Sequence, residues 1–575
     1  MISSIGKPLN NFFSWYLKRR MVEIENFKSN PEIVQQQTLS NLISSAKSTQ
    51  FGISNNFSSV YNTSSFKSII PLRKYEDFEP FIKRAKNGEP NVLWPGKVKW
   101  FAQSSGTSSN TIKHIPITID SLKKCHYKGG KDLLAIYYRN NPNTQLFSGK
   151  HLIMGGNEKH LPGNDKSISG DLSAIIMKNL PWWCEWRRSP NKVKSLLQKN
   201  WAEKLSYIVK HSSKDNVQII AGVPSWVLII MNEVIKENNI NYIHEIWPSL
   251  ELYLHGGMNI APYKKNFQSI TSKKINFYQN YNATEGFFGL QSENDADDML
   301  LMLDYGIYYE FISKDNWKEN QPLTLSLEEV ELNKPYEVVI STNGGLWRYR
   351  LGDTVIFTSI NPFKIKVIGR TKQFINIAGE ELMIQHVETA INKASEKCFC
   401  SIGEYTVAPI FKNSNKSTGF HYWLIEFREK PDDLSNFSSI LDMELQKVNI
   451  DYKSKRENNY PLNKPVIKEV PKNTFYNWLE SQNKLGGQNK ILRINENKDK
   501  IRNYSFFSVA GASSTVFSAG VSFSTIFLTG FSADTTGFST GFSATSSAFL
   551  AFSSFTASLT GVSSFAGTAG AGVFS

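Results

Sequence analysis

Val217-Gln218-Ile219-Ile220-Ala221-Gly222-Val223-Pro224-Ser225-Trp226-Val227-Leu228-Ile229-Ile230-Met231-Asn232-Glu233-Val234 decides the fold. Its first five residues form a short apolar run that ends at glycine, which reads as a strand. From Pro224 to Val234 the chain reads as a helix, with proline in the first turn, where a missing N–H costs nothing. The unit recurs downstream. Leu250 to Leu254 reads as a strand ending at His255-Gly256-Gly257, and Phe277 to Tyr281 as another ending at Asn282-Ala283-Thr284-Glu285. Strand–loop–helix alternation predicts an α/β fold with much parallel sheet.

Outward from this centre the texture changes twice. Residues 1–50 read as helices, with Pro31 at the start of one. Ile69 to Ile82 reads as a turn and a short helix, and Val98 to Phe101 as a strand. Val338 to Ser341 and Lys364 to Ile368 add strands. After Gly369-Arg370, a helix from Glu380 to Asn392, a strand from Phe420 to Phe427 and a helix from Leu441 to Val448 predict a smaller α+β domain. The boundaries read as 1–370 for the large domain, 371–503 for the small one and 504–575 for a tail. The tail is built from Ser, Phe, Gly, Ala and Thr, repeats Gly-Phe-Ser, and has Asp534 as its only charged residue. Such low complexity cannot specify a packed core, so the tail reads as a disordered or non-native extension.

The bulk numbers narrow the class. The 575 residues suffice for two or three domains, and 40% hydrophobic with 20% charged residues suits a soluble globular chain. A net charge of +14 permits an anionic partner. The lysines are dispersed, however, and no dense basic stripe points to nucleic acid. Residues 1–503 hold no apolar run long enough for a membrane helix, and the first residues lack the pattern of a signal peptide. The four cysteines, Cys125, Cys184, Cys398 and Cys400, are too few and too scattered for a disulfide framework. They read as reduced thiols of a cytoplasmic protein.

Five short stretches carry candidate chemistry. Ser104-Ser105-Gly106-Thr107-Ser108, followed by Lys113, offers small residues, hydroxyls and successive N–H groups that can cup phosphate oxygens. It is not a Walker loop, and an ordinary Ser-rich surface loop would look the same. Tyr281-Asn282-Ala283-Thr284-Glu285-Gly286 closes a strand, where ligands of open α/β sheets bind. There the Thr284 hydroxyl can meet a phosphate, and the Glu285 carboxylate suits Mg²⁺; a plain turn is the alternative. In Trp347-Arg348-Tyr349-Arg350-Leu351-Gly352-Asp353, the aspartate is expected at a strand end, where it could accept from both hydroxyls of a ribose. A salt-bridged Asp in a hairpin is the alternative. Gly369-Arg370-Thr371-Lys372 lies where the texture changes. Gly486-Gly487-Gln488-Asn489-Lys490 places a lysine on a Gly-rich loop of the small domain, able to swing onto a phosphate, though surface lysines are common. Gly537-Phe538-Ser539-Thr540-Gly541 matches GxSxG but lies in the tail with no strand–helix context. His244-Glu245 lacks the second histidine of a zinc motif.

The order of these elements resembles the adenylate-forming superfamily of acyl-CoA synthetases, luciferases and peptide-synthetase adenylation domains. More closely, the chain is similar over about residues 25–497 to the Gretchen Hagen (auxin-responsive promoter) family of acyl-acid amido synthetases, in its bacterial branch. The marks are Asn30-Pro31 with Gln35, Thr49-Gln50-Phe51-Gly52, Tyr75-Glu76-Asp77, Leu93-Trp94-Pro95-Gly96, Gly222-Val223-Pro224-Ser225-Trp226 and His255-Gly256-Gly257. The resemblance implies a large N-terminal adenylate-forming α/β domain and a small C-terminal one, with ATP, Mg²⁺ and a carboxylic acid bound between. It implies phosphates on the 104–108 loop, adenine between Gly256-Gly257 and Tyr281-Asn282, and ribose on Asp353. Thr284 and Glu285 would serve phosphate and Mg²⁺, Arg370 and Lys490 the transition state, and Trp226 the acyl pocket. The implied reaction forms an acyl-adenylate and passes the acyl group to an amine, an amino acid by the resemblance, with no membrane or nucleic-acid partner. A thiol acceptor and a non-catalytic member of the fold are the alternatives; the intact Glu285, Asp353 and Lys490 argue against the second. Ile377-Ala378-Gly379-Glu380-Glu381 departs from the plant members and puts the acceptor side in doubt. The tail has no counterpart in the family.

Overall fold

The computed structural model describes residues 3–105, 112–153, 155–156, 158–161, 164–180, 182–190, 201–371, 374–378, 380–412, 418–456, 459, 461–482, 484–485, 490–495 and 504. Within it, Val217–Ala221 is a strand and Pro224–Glu237 a helix with proline in its first turn. The strand's first four residues are buried, as when both faces of a sheet are covered, and the buried Gln218 donates to Gln145 O and the Ser148 hydroxyl. On the helix Val227, Ile230, Met231 and Val234 are buried at helical spacing, and each such side chain contributes about 1.5–3 kcal/mol of burial.

Eleven strands form the main sheet, in the order Ile307–Ser313, Pro335–Thr342, Tyr349–Ile360, Phe363–Arg370, Met299–Leu301, Phe287–Leu290, Asn276–Asn282, Leu252–Gly256, Val217–Ala221, Lys150–Ile153 and Arg188–Ser189. The last five run parallel to one another and the rest pair antiparallel. The sheet is therefore half parallel. The switch falls at Asn276–Asn282, parallel to Leu252–Gly256 on one side and antiparallel to Phe287–Leu290 on the other. A second sheet has four strands, ordered Ile112–Ile117, Trp100–Ser105, Asn164–Gly170 and Glu158–Leu161.

A separate apolar core begins at Ile375 and runs to Ile494. It fills a three-stranded sheet, Ser401–Phe411, Gly419–Glu429 and Val466–Val470, packed by the helices Ile384–Lys397 and Leu434–Val448. The fold is thus α/β with a smaller α+β unit behind it. One local expectation fails here. Glu380, expected to open a helix, is buried and accepts from the backbone N–H of Ile377 and Ala378 and from His421 Nε2 at 2.9 Å. Leu382–Met383 pairs with Phe374–Ile375, and the helix starts only at Ile384. Among the described residues no helix is long and apolar enough to cross a membrane. The tail from 505 lies outside the described residues.

Candidate active site

The strand Asn276–Asn282 ends in a tight turn, in which the Ala283 N–H donates to Gly286 O at 2.9 Å. The turn presents Thr284, whose hydroxyl donates to Glu285 Oε2 at 2.5 Å. Three residues before Thr284, on the strand, the Tyr281 hydroxyl donates to Asp353 Oδ2 at 2.6 Å. Arg370 Nε lies 2.6 Å from the other oxygen, Asp353 Oδ1. Asp353 and Arg370 face each other across the pair Tyr349–Ile360 and Phe363–Arg370. Asp353 therefore sits within a twelve-residue strand, not at its end. Gly352 makes this workable: its φ of +79° kinks the strand just before the aspartate, in a region that disfavours side chains. The salt-bridged alternative for Asp353 is realised, and the same bridge faces the Thr284-Glu285 turn.

The electrostatics follow from this packing. Burial pushes the Glu285 carboxyl above its usual range; Arg370 opposes the rise and Asp353 adds to it. Asp353 holds the Arg370 guanidinium above its usual value. Burial, then the Asp353 charge, raises the Tyr281 hydroxyl. Two carboxylates and one arginine thus share one small volume at the end of the parallel half-sheet.

Lys490 completes the group from the other domain. Its Nζ donates to Gly257 O, just beyond the strand Leu252–Gly256. The side chain stays open to solvent. The protein around its ammonium pushes its pKa below the usual lysine value; Arg370 adds to the fall, while Asp353 and Glu388 oppose it. The glycines Gly486 and Gly487 that precede it lie outside the described residues. Gly256 is required by close approach: a Cβ there would stand 2.6 Å from Asn280 O on the neighbouring strand.

Ser104 and Ser105 end the strand Trp100–Ser105, and Ser104 pairs directly with Lys113 across a hairpin. Gly106, Thr107 and Ser108 lie outside the described residues. Lys113 Nζ stands 5.3 Å from the centre of the Tyr75 ring, and the His114 N–H donates to the Tyr75 hydroxyl at 2.8 Å. Tyr75 and Phe78 share the helix Tyr75–Lys86, and Phe78 stacks edge-on against Tyr349 at 6.0 Å. That helix ties the hairpin to the strand that carries Asp353.

Some placements were not legible in the sequence. Asn282 Oδ1 lies 3.1 Å from Nδ1 of His126, a buried imidazole pushed down to about 4 by burial and hence neutral at pH 7. Cys125 Sγ accepts from the Phe287 N–H at 3.1 Å, joining the same helical stretch to the Glu285 turn. His126 belongs to none of the motifs read from the sequence, and only the fold brings it to Asn282. Trp226 is not brought to the polar group. It is 3% exposed and packs on Trp201, centroids 4.8 Å apart, in a cluster with Phe475, Leu479 and Ile491 of the small domain.

The chemistry of the donors suits the implied ligands. Among the described residues no group of three or more His, Cys, Asp or Glu is arranged to hold a metal. Glu285 with the Thr284 hydroxyl instead offers one hard-oxygen corner, as Mg²⁺ takes when substrate phosphates and water supply its other ligands.

The chain superposes on GH3.15 acyl acid amido synthetase with a TM-score of 0.68 at 17% identity, over 85% of this chain and 96% of that one. It superposes on 2-hydroxyisobutyryl-CoA ligase with 2-HIB-AMP bound at 0.52 and 13% identity, over 82% and 91%. These likenesses establish the fold. Models of the GH3 family N-terminal, central and C-terminal domains match residues 20–275, 300–370 and 385–499 in turn. The chain belongs to the GH3 (Gretchen Hagen) family. A curated relative, the indole-3-acetic acid-amido synthetase GH3.4 of Arabidopsis thaliana, is 22% identical over 521 residues, covering 79% of this chain and 87% of its own.

Proposed function

We propose that this chain is an ATP-dependent acyl-acid amido synthetase. The observation that carries this reading is the meeting of Tyr281, Glu285, Asp353 and Arg370 at the end of the parallel half-sheet, with Lys490 reaching in from the small domain. A free carboxylate is a poor electrophile because oxide is a poor leaving group. Attack of a carboxylate oxygen on the α-phosphorus of ATP forms an O–P bond, breaks the bond to the β-phosphate oxygen and releases pyrophosphate. The resulting acyl-AMP has a good leaving group. An amine then attacks the acyl carbon, AMP departs, and the amine loses a proton.

The residue roles follow the geometry. Arg370 and Lys490 would stabilise charge gathering on the phosphorus, where a pre-placed donor is worth roughly 10²–10³ in rate. Mg²⁺, held at Glu285, would neutralise the phosphates. Thr284 would donate to the α-phosphate, and Asp353 would accept from the ribose hydroxyls. Gly256, Gly257, Tyr281 and Asn282 would flank the adenine. Ser104 and Ser105, with Gly106, Thr107 and Ser108 that follow them in sequence and with Lys113, would hold phosphates. Trp226 would line the acyl pocket, and its packing on Trp201 in a cluster with Phe475, Leu479 and Ile491 also ties it to the small domain. A domain boundary after Arg370 accords with the separate core that begins at Ile375. The four free thiols accord with a cytoplasmic setting.

The test is exchange of labelled pyrophosphate into ATP, with Mg²⁺ and a panel of carboxylic acids. Exchange with at least one acid is expected; silence across the panel would sink the reading. Adding amino acids or coenzyme A and weighing the product then distinguishes an amide from a thioester.

A further inference from the structure

Three residues of the segment 257–263, just beyond the strand Leu252–Gly256, are gripped by the small domain. Gly257 O accepts from Lys490 Nζ. Asn259 Nδ2 donates to Glu388 Oε2 at 3.0 Å, from the helix Ile384–Lys397. The Tyr263 hydroxyl accepts from Arg493 at 2.7 Å and lies 3.4 Å from Glu404 Oε2. Arg493 in turn pairs with Glu404 and stacks over the Tyr405 ring at 4.2 Å.

The grip has a rigid base. Val407 N donates to Arg493 O at 2.9 Å and Asn495 N to Val407 O at 2.8 Å, so the chain around Arg493 lies along the strand Ser401–Phe411 like an added edge. The Thr406 hydroxyl donates to Leu492 O at 2.6 Å. Ile491, next to Lys490, is 4% exposed and belongs to the apolar cluster that holds Trp226. A lysine on a four-carbon stem is mobile by itself. Here both its carrier and the backbone it touches are fastened to each other at points a few residues away.

We propose that Asn259, Tyr263, Glu388, Glu404 and Arg493 are positioning residues: they dock the small domain on the 257–263 segment and thereby set Lys490 for the adenylate-forming half of the reaction. This rests on the function proposed above. None of the five needs to touch ATP or the acid. Their effect is expected on the turnover of the first half-reaction, not on ATP binding or on transfer from a preformed acyl-adenylate.

The test uses the full chain and two gentle variants, Asn259→Ala and Tyr263→Phe, alone and together. Pyrophosphate exchange should fall about tenfold to a hundredfold in the double variant, the scale of one or two hydrogen bonds to charged groups. The KM for ATP and amide formation from supplied acyl-AMP should stay within about twofold of the parent on the same reasoning. Glu388→Gln, which keeps an acceptor for Asn259, should retain exchange that Glu388→Ala loses. Hydrogen exchange of peptides spanning 257–263 and 490–495 should rise in the double variant. Unchanged pyrophosphate exchange in the double variant, or equal losses in both half-reactions, would overturn the proposal. If the parent itself exchanges with no acid, the proposed function fails. The docking is then judged by hydrogen exchange alone, and an unchanged rate in both peptides overturns it.

Discussion

Arg348 immediately precedes the first strand of one antiparallel hairpin and Arg370 closes the second; each pairs with a carboxylate, yet the two pairs differ in kind. Arg348 spends its donors entirely on the protein. Its Nη2 donates to Glu310 Oε1 and the Thr324 hydroxyl at 2.9 Å each, Nε to Glu310 Oε2 at 3.0 Å, and Nη1 to the carbonyls of Lys67 and Ile70 at 2.9 and 2.6 Å. Both side chains of that pair are sealed from water, at 6% and 1% exposure. The Arg370 side chain is 36% exposed beside an Asp353 at 9%. An enclosed pair with every donor used can only hold structure. A pair whose arginine is partly exposed can give up one partner to a ligand.

That difference predicts opposite phenotypes. Arg348→Ala should cost about 3–5 kcal/mol of stability, because it leaves Glu310 charged and buried without its partner. Urea denaturation reads this as a lower midpoint at unchanged slope, and a loss below about 1 kcal/mol would show the pair to be dispensable. Arg370→Ala should move the midpoint less than Arg348→Ala, since the arginine is more than a third exposed and Asp353 keeps the Tyr281 hydroxyl as a donor. It should nevertheless lower pyrophosphate exchange roughly 10²–10³-fold. Loss of fold and activity together in Arg370→Ala would erase the contrast. Asp353→Ala should weaken ATP binding by about tenfold, the worth of a hydrogen bond to a charged acceptor. Isothermal titration with ATP checks this, and unchanged affinity removes Asp353 from the ribose.

How much of this was legible in sequence depends on how local each feature is. The strand Val217–Ala221 and the start of the helix at Pro224 were readable because burial on both faces and a first-turn proline leave local marks. The Thr284-Glu285 turn was readable because it follows directly on a strand. Asp353 was expected at a strand end; its strand instead runs on to Ile360, because the kink at Gly352 bends the ladder without ending it. Glu380 looked like the first residue of a helix, since its burial against His421 depends on a residue 41 positions away. His126, Glu388 and Arg493 carried no signal, each being an ordinary residue type made special by a partner on another element. Trp226 belonged to a motif, but the motif does not say which domain its indole faces.

The smallest effect separates Glu285 from Lys490, the two groups whose charge the reaction would use. Burial raises the Glu285 carboxyl, so it takes up a proton at a higher pH than an ordinary glutamate. Only its ionised form can hold Mg²⁺. Exchange should therefore fall on the acid side from a pH above the usual carboxylate range. Because Mg²⁺ and the proton compete for the same oxygens, more Mg²⁺ should move that limb to lower pH. The protein packed around its solvent-open side chain, and then Arg370, lower the Lys490 ammonium, so its charge is lost at a lower pH than that of a free lysine. The alkaline limb should accordingly begin early, and Lys490→Arg should push it beyond reach, since a guanidinium stays charged. The pH profile of exchange at two Mg²⁺ concentrations checks both limbs. An acid limb that ignores Mg²⁺ would take the metal away from Glu285, and an alkaline limb unchanged in Lys490→Arg would take the transition-state charge away from Lys490.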